Sequence, residues 1–169
     1  MAKLSWLLRI VDRINDRVGV VVMLLVIVMA LALLYEVVMR YAFNNPTVWA
    51  HELTQMIFGA YFMLGAGYAF LHKAHVTVDI LHARLSLRKQ AILDLVTSTF
   101  FFLFCVALVW KGGSVAWEAL SLGKHSSTGW SPPIAPVTMT VPIGALLLLL
   151  QGAAKFIRDL ITATGREQI

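Results

Sequence analysis

The sequence predicts an all-α membrane protein with four transmembrane helices and both termini on the same side of the membrane. Of the 169 residues, 59% are hydrophobic and 14% are charged, and the mean hydropathy is +0.78. A soluble domain is typically about half apolar and about a quarter charged. Lysine and arginine are also distributed unequally between the apolar segments. We therefore treat the whole chain, 1–169, as one integral membrane domain.

Four apolar segments supply the predicted membrane-spanning helices. Each contains about 20 residues, the length at which a helix crosses roughly 30 Å of hydrocarbon. Open strands are excluded in this setting because lipid cannot satisfy their unpaired backbone groups. The first segment follows basic residues, as a signal peptide does, but its apolar run is longer than a usual signal core and favours a retained helix. The predicted spans are 18–39, 53–71, 91–110 and 134–154.

The basic residues determine the predicted orientation. Eleven of the 14 Lys and Arg residues lie in the N-terminal tail, in the connection between the second and third spans, and in the C-terminal tail. The other two connections carry Arg40, Lys111 and Lys124. Positive charge is retained on the cytoplasmic side during insertion, so we expect both termini in the cytoplasm.

The segment before the first span has its own pattern. Apolar residues recur at helical spacing over 3–17, and charged residues such as Arg9 and Asp12 occupy the opposite face. This pattern is typical of a basic amphipathic helix on the inner membrane surface, and we predict an interfacial helix over 3–17. The alternative is a simple extension of the first spanning helix into the cytosol.

Charged residues also border the turn between the first two spans. Glu36 and Arg40 are four residues apart with the acid first, the favourable order on a helix. Glu52 begins the next helix, where its charge suits the exposed amides. The intervening Asn44-Asn45-Pro46 turn is expected to bring Arg40 and Glu52 together. These charged groups have two possible functions: they hold the helix hairpin or a partner subunit in place, or they form a proton or cation site on Glu36 or Glu52. Their position near the ends of the apolar segments favours the structural function.

Small residues and prolines indicate where helices pack. Gly65 and Ala69 form a small-x-x-x-small pair, which lets two helix backbones approach closely. Pro142 interrupts the backbone hydrogen bond to Thr138, and the hydroxyl of Thr138 or Thr140 is expected to satisfy the freed carbonyl. The predicted helix-packing residues are Gly65, Ala69, Pro142 and Gly144.

The sequence gives little support to an enzyme, a cofactor site or a nucleic-acid-binding protein. All five histidines lie outside the apolar centres, so none is placed to hold a haem between helices. His72 and His75 alone are too few for a metal site, and the single Cys105 cannot form an internal disulfide. No nucleophile and base combination or phosphate-binding loop is present. We expect no cofactor and no metal.

Four motifs together resemble a known family. They are RYAF at 40–43, WAHEL at 49–53, HVTVDIL at 75–81, and SSTGWSPPIAPVTMTVPIGALLLLLQ at 126–151. In this order and with four helices, the chain resembles the small membrane (Q) subunit of tripartite ATP-independent periplasmic (TRAP) transporters. The resemblance extends from about 18 to about 157.

The resemblance implies partners and a location. Family members work with a large multi-spanning subunit of the elevator type, which carries sodium and substrate, and with a periplasmic binding protein that delivers substrates, often carboxylates. The small subunit is expected to be a non-catalytic scaffold in the bacterial inner membrane. The residues expected to fix the hairpin or a partner are Glu36, Arg40, Trp49, Glu52 and, through the family's H-x-x-x-D pattern in the inner loop, His75 and Asp79.

Two other functions are compatible with four apolar helices. A self-sufficient proton-coupled exporter would use Glu36 as its carrier carboxylate, although such an acid is usually placed mid-membrane. A membrane-anchor subunit of a redox enzyme would need a haem or quinone site.

Overall fold

The computed structural model describes residues 2–72 and 87–163, with side chains described for 6–72 and 95–161. His75 and Asp79 therefore lie outside the described residues. Within these residues the structure has four helices, each long and apolar enough to cross a membrane. The predicted all-α fold with four helices long and apolar enough to span a membrane is confirmed. The helices are α1 (Ala2–Tyr41), α2 (Ala50–Leu71), α3 (Leu87–Ser121) and α4 (Ala135–Ala163).

The helices are arranged so that α2 and α4 lie between the other two. Helix α1 packs mainly on α2, α2 packs on α4, and α4 packs along α3. Helix α1 also reaches α4, but over a shorter stretch. Large apolar side chains consequently remain exposed along α1 and α3, for example Leu31 and Leu103. The two flanking helices thus present apolar surface that the chain itself does not cover.

Helix α1 turns one narrow stripe toward its neighbours. The stripe repeats every seven residues, a spacing that keeps side chains on one side of a helix. Two of its members, Asn15 and Glu36, are polar although most of the stripe is apolar. The members are Leu8, Asn15, Val22, Met29 and Glu36, all of them buried except the half-buried Met29.

The predicted separate interfacial helix over 3–17 is not confirmed, because α1 runs without a break from Ala2 to Tyr41. The sequence offers no proline in this stretch, and its one glycine, Gly19, lies against the ring of Tyr68. At 40 residues the helix is about 60 Å long, roughly twice the thickness of the hydrocarbon layer. The structure therefore has the continuous helix of the alternative interpretation. Helix α3 likewise continues beyond its predicted span to Ser121.

Glycines mark the places where helices approach most closely. A Cβ atom on Gly144 would overlap the backbone carbonyl of Met63, so α4 and α2 touch backbone to backbone there. A Cβ atom on Gly65 would meet only Val22 at an ordinary 3.9 Å. Of the predicted packing residues, Gly144 lies at a tight contact and Gly65 does not, while Ala69 is half-buried.

Pro142 lies inside α4 and faces α3. A Cβ atom on Gly112 would come within 3.5 Å of the proline ring, so the two helices meet at this point. The hydroxyl of Thr138 donates to the carbonyls of Ile134 (3.1 Å) and Ala135 (3.0 Å). That of Thr140 donates to Val137. The expected hydrogen bond from either hydroxyl to the Thr138 carbonyl is therefore wrong, because both hydroxyls bond carbonyls in the preceding turn.

Candidate helix-fixing and partner-binding site

Glu36 is the centre of the contacts at the end of α1. Its Oε1 atom accepts hydrogen bonds from Arg40 Nε at 3.0 Å and Nη2 at 2.5 Å. Its Oε2 atom accepts from the backbone N–H of Thr47 at 3.0 Å and from the Thr47 hydroxyl. Only 7% of the residue is exposed. The carboxylate thus joins the last turns of α1 to the segment that enters α2, with both of its oxygens occupied.

The turn itself is held by backbone geometry and by an aromatic pair. Asn44 adopts a positive φ of 49°, a conformation that asparagine tolerates better than most residues. The N–H of Asn45 donates to the carbonyl of Met39 at 2.9 Å, which closes the end of α1. The rings of Tyr35 and Trp49 stack with their centroids 5.7 Å apart. Trp49 therefore contacts α1 across the turn, beside the Glu36 cluster.

Glu52 does not meet Arg40 as expected. Its Oε2 atom instead accepts a hydrogen bond from the hydroxyl of Thr128, in the loop between α3 and α4. Arg40 is held by Glu36, one helical turn away, and this short-range pair leaves Glu52 available to the loop. The contact links α2 to a segment 76 positions later in the chain.

The loop that receives Glu52 has an ordered backbone. Gly123, with φ of 55°, ends α3 in a Schellman motif, in which the N–H of Lys124 donates to the carbonyl of Ala119 at 2.9 Å. Farther along, the N–H of Ser126 donates to the carbonyl of Pro132 at 2.9 Å, and that of Ile134 to Lys124 at 3.1 Å. These bonds pair the two arms of the loop and present Thr128 at its tip.

A second polar cluster joins α1 to α4 near the other end of the molecule. Asn15 Nδ2 donates to Gln151 Oε1 at 3.0 Å, and Gln151 Nε2 donates to Asp12 Oδ1 at 2.9 Å. Arg158 Nη2 donates to Asp12 Oδ2 at 2.6 Å. Asn15 and Gln151 are each only 1% exposed. We call these four residues the inner network.

Helix α2 is fitted to the inner network from one side. A Cβ atom on Gly67 would overlap the side-chain oxygen of Asn15, so only glycine leaves room for the asparagine here. One turn farther along α2, His72 Nε2 lies 3.1 Å from Asp16 Oδ1 and the imidazole packs on the ring of Tyr68. The two aspartates of α1 therefore contact different helices, Asp12 on α4 and Asp16 on α2.

The inner network was not predicted from the sequence. Its two amides are separated by 136 positions, and their pairing depends on how the helices fold back. One signal was available, because Asn15 follows Leu8 and precedes Val22 at a spacing of seven in the apolar stripe. Within a membrane, a lone polar residue on an apolar helical face is expected to hydrogen-bond a residue of another helix.

The chemistry of both clusters is that of structural attachment. Both oxygens of Glu36 and both oxygens of Asp12 are bonded to donors of the protein itself. Within the described residues, no group of three or more His, Cys, Asp and Glu side chains is placed to hold a metal ion. These contacts fix the helices and the α3–α4 loop relative to one another.

Taken together, these features define a multi-pass membrane protein whose buried polar groups serve to hold its own helices together. Residues 29–162 match the family described as tripartite ATP-independent periplasmic transporters, DctQ component, and the chain belongs to this family. It is also similar to a TRAP transporter small permease protein of Haemophilus influenzae, with 28% identity over 139 residues that cover 80% of this chain and 85% of the relative. The family assignment made from the four sequence motifs is confirmed, and the chain is a TRAP transporter small subunit.

The inner network leads to a testable coupling energy. Asn15→Ala and Gln151→Ala should each lower the free energy of unfolding of the purified chain. The double variant should lose less stability than the two single variants added together, and the difference, which is the coupling energy, should be about 1 kcal/mol. Unfolding of the chain in mixed micelles by increasing denaturing detergent measures this. The matched control combines Asn15→Ala with Gln55→Ala, since Gln55 pairs with His51 on the exposed surface at the other end. An Asn15–Gln151 coupling no larger than that of the control would contradict the assignment.

Proposed function

We propose that this chain is the non-catalytic scaffold subunit of a sodium-gradient-driven transporter in the bacterial inner membrane. In this proposal it holds the static part of a large elevator-type subunit, and a periplasmic binding protein delivers an organic acid to the complex. The proposal rests on the family and on one observation in particular. The buried acid Glu36 is enclosed by donors of the chain itself, which leaves it no open side toward a transported ion.

The exposed flanks support a scaffold function. Helices α1 and α3 each carry a row of exposed large apolar residues that only lipid or another membrane protein would cover. A second membrane-embedded subunit packed on one flank would be held at a defined depth, because each flank extends over a whole membrane-spanning helix. The four helices would then remain fixed while a domain of the large subunit moves the substrate.

The site residues divide into two proposed roles. Glu36, Arg40, Trp49 and Glu52 would keep the α1–α2 hairpin and the outer loop in the shape that the large subunit meets. His75 and Asp79, outside the described residues, would anchor the inner loop. Among the packing residues, Gly144 would keep α2 and α4 close enough for the whole chain to act as one rigid part.

The scaffold proposal predicts that the chain transports nothing by itself. Reconstituted alone into liposomes, it should give no solute flux under a sodium or proton gradient, whereas liposomes containing it with its large subunit and binding protein should accumulate substrate. Proton-driven flux by the isolated chain that disappears in Glu36→Gln would support the exporter alternative and reject the scaffold.

A second prediction separates assembly from ion coupling. Glu52→Ala removes the acceptor of Thr128, and the loss of about 1 kcal/mol should reduce co-purification of the large subunit by roughly fivefold. Sodium dependence of the remaining transport should not change. Glu118→Ala is the matched control, since Glu118 is an exposed acid that pairs with Lys124 at the same end. Intact assembly with an altered sodium dependence would assign Glu52 to ion binding instead.

We also propose that both termini lie in the cytoplasm, on the strength of the unequal distribution of Lys and Arg. In a Cys105→Ser background, a cysteine replacing the exposed Ser127 should react with a membrane-impermeant maleimide in intact spheroplasts. A cysteine replacing Gln168 should react only after permeabilisation. The reverse labelling pattern would overturn the orientation.

A further inference from the structure

The outward face of α1 carries a row of arginines at its N-terminal end. Arg9, Arg13 and Arg17 follow one another at intervals of four residues, so each lies about 6 Å farther along the helix on nearly the same side. All three are exposed. This side is opposite the stripe that contains Asn15, and the guanidinium groups therefore point away from α2 and α4.

The acids of the same segment form no ion pair with Arg13 or Arg17 among the described residues. Asp12 is bonded to Arg158 and Gln151 on α4, and Asp16 is paired with His72 on α2. Within residues 6–72 and 95–161, neither Arg13 nor Arg17 forms an ion pair with an acidic side chain. The two aspartates are thus paired with residues of other helices, Asp12 half-buried and Asp16 about half exposed, whereas Arg13 and Arg17 face outward.

Apolar surface adjoins the arginine row at the point where α1 enters its spanning part. Val20 and Leu24 continue the same side of the helix and are 54% and 59% exposed. At the other end of the row, Trp6 is 59% exposed. One face of the helix therefore offers fixed positive charge next to aliphatic surface.

We propose that this face, from Trp6 to Leu24, binds an anionic phospholipid. Its phosphate contacts Arg13 and Arg17, and an acyl chain lies along Val20 and Leu24. Guanidinium groups match phosphate geometrically, and juxtamembrane basic side chains attract anionic lipid surfaces. The aliphatic surface directly beside the charges favours a lipid over an acidic protein surface, which would need to match only the charges. The inference rests on the proposed placement of α1 across the membrane.

The experiment uses the full chain purified in a non-ionic maltoside detergent. Its melting temperature is followed by tryptophan fluorescence while dioleoyl phosphatidylglycerol or dioleoyl phosphatidylcholine is added. We expect phosphatidylglycerol to raise the melting temperature more than phosphatidylcholine does. In Arg13→Gln/Arg17→Gln this extra shift should disappear, while Arg13→Lys/Arg17→Lys should keep part of it. The control is Lys111→Gln/Lys124→Gln, which removes the same charge at the opposite end and should retain the whole shift.

Several results would overturn the proposal. An unchanged phosphatidylglycerol shift in Arg13→Gln/Arg17→Gln would reject the site, as would an equal loss in the lysine control. An equal shift with soluble glycerol phosphate would mean that the face binds a phosphate anion without its chains. If Arg13→Gln/Arg17→Gln instead loses the large subunit in pure phosphatidylcholine bilayers, the face is a protein contact, and the scaffold proposal stands while the lipid site falls. The melting temperature without lipid shows for each variant that the fold is retained.

Discussion

The contact between Asn15 and Gln151 is the constraint on which the arrangement of these helices depends. Inside a membrane, apolar helices gain little from leaving lipid for one another, so close packing and polar contacts must hold them together. The two amides are buried inside the protein, where an unpaired polar group is costly, and they are hydrogen-bonded to each other. Gly67 supplies the room that Asn15 needs against α2. One pair of side chains thereby sets the positions of three helices.

The polar contacts also lie near both ends of the α1–α2 pair. At one end, Asp16 meets His72, and at the other the Glu36 cluster and the Tyr35–Trp49 stack close the hairpin. Two contacts far apart along the helices resist sliding and rotation of one helix against the other better than a single contact does. The tight approach of Gly144 to Met63 has the same effect between α2 and α4. Rigidity of this kind is what the proposed scaffold function requires.

The parts of this structure that could be predicted are those set by local sequence. Four spans followed from hydropathy and length, and the Glu36–Arg40 pair followed from their spacing on one helix. Contacts that depend on how distant segments meet were not accessible. Thr128 bonds Glu52 because the α3–α4 loop folds over the start of α2, and no sequence spacing reveals this. The helix over 3–17 was expected to be separate because its pattern is amphipathic, yet it continues into α1, and its aspartates contact α4 and α2.

Glu36 illustrates how the same residue can be assigned opposite functions until its surroundings are known. A charge at the centre of a membrane helix costs about 2.5–3.5 kcal/mol on insertion scales, and such residues are usually functional. A carrier acid must exchange its proton or ion with water on each side, which requires at least one oxygen that can be released cheaply. Here the oxygens of Glu36 are divided between Arg40 on its own helix and Thr47 beyond the turn. Releasing either oxygen would break a hydrogen bond that holds the hairpin together. These hydrogen bonds therefore offset the free energy that it costs to keep the charge near the membrane.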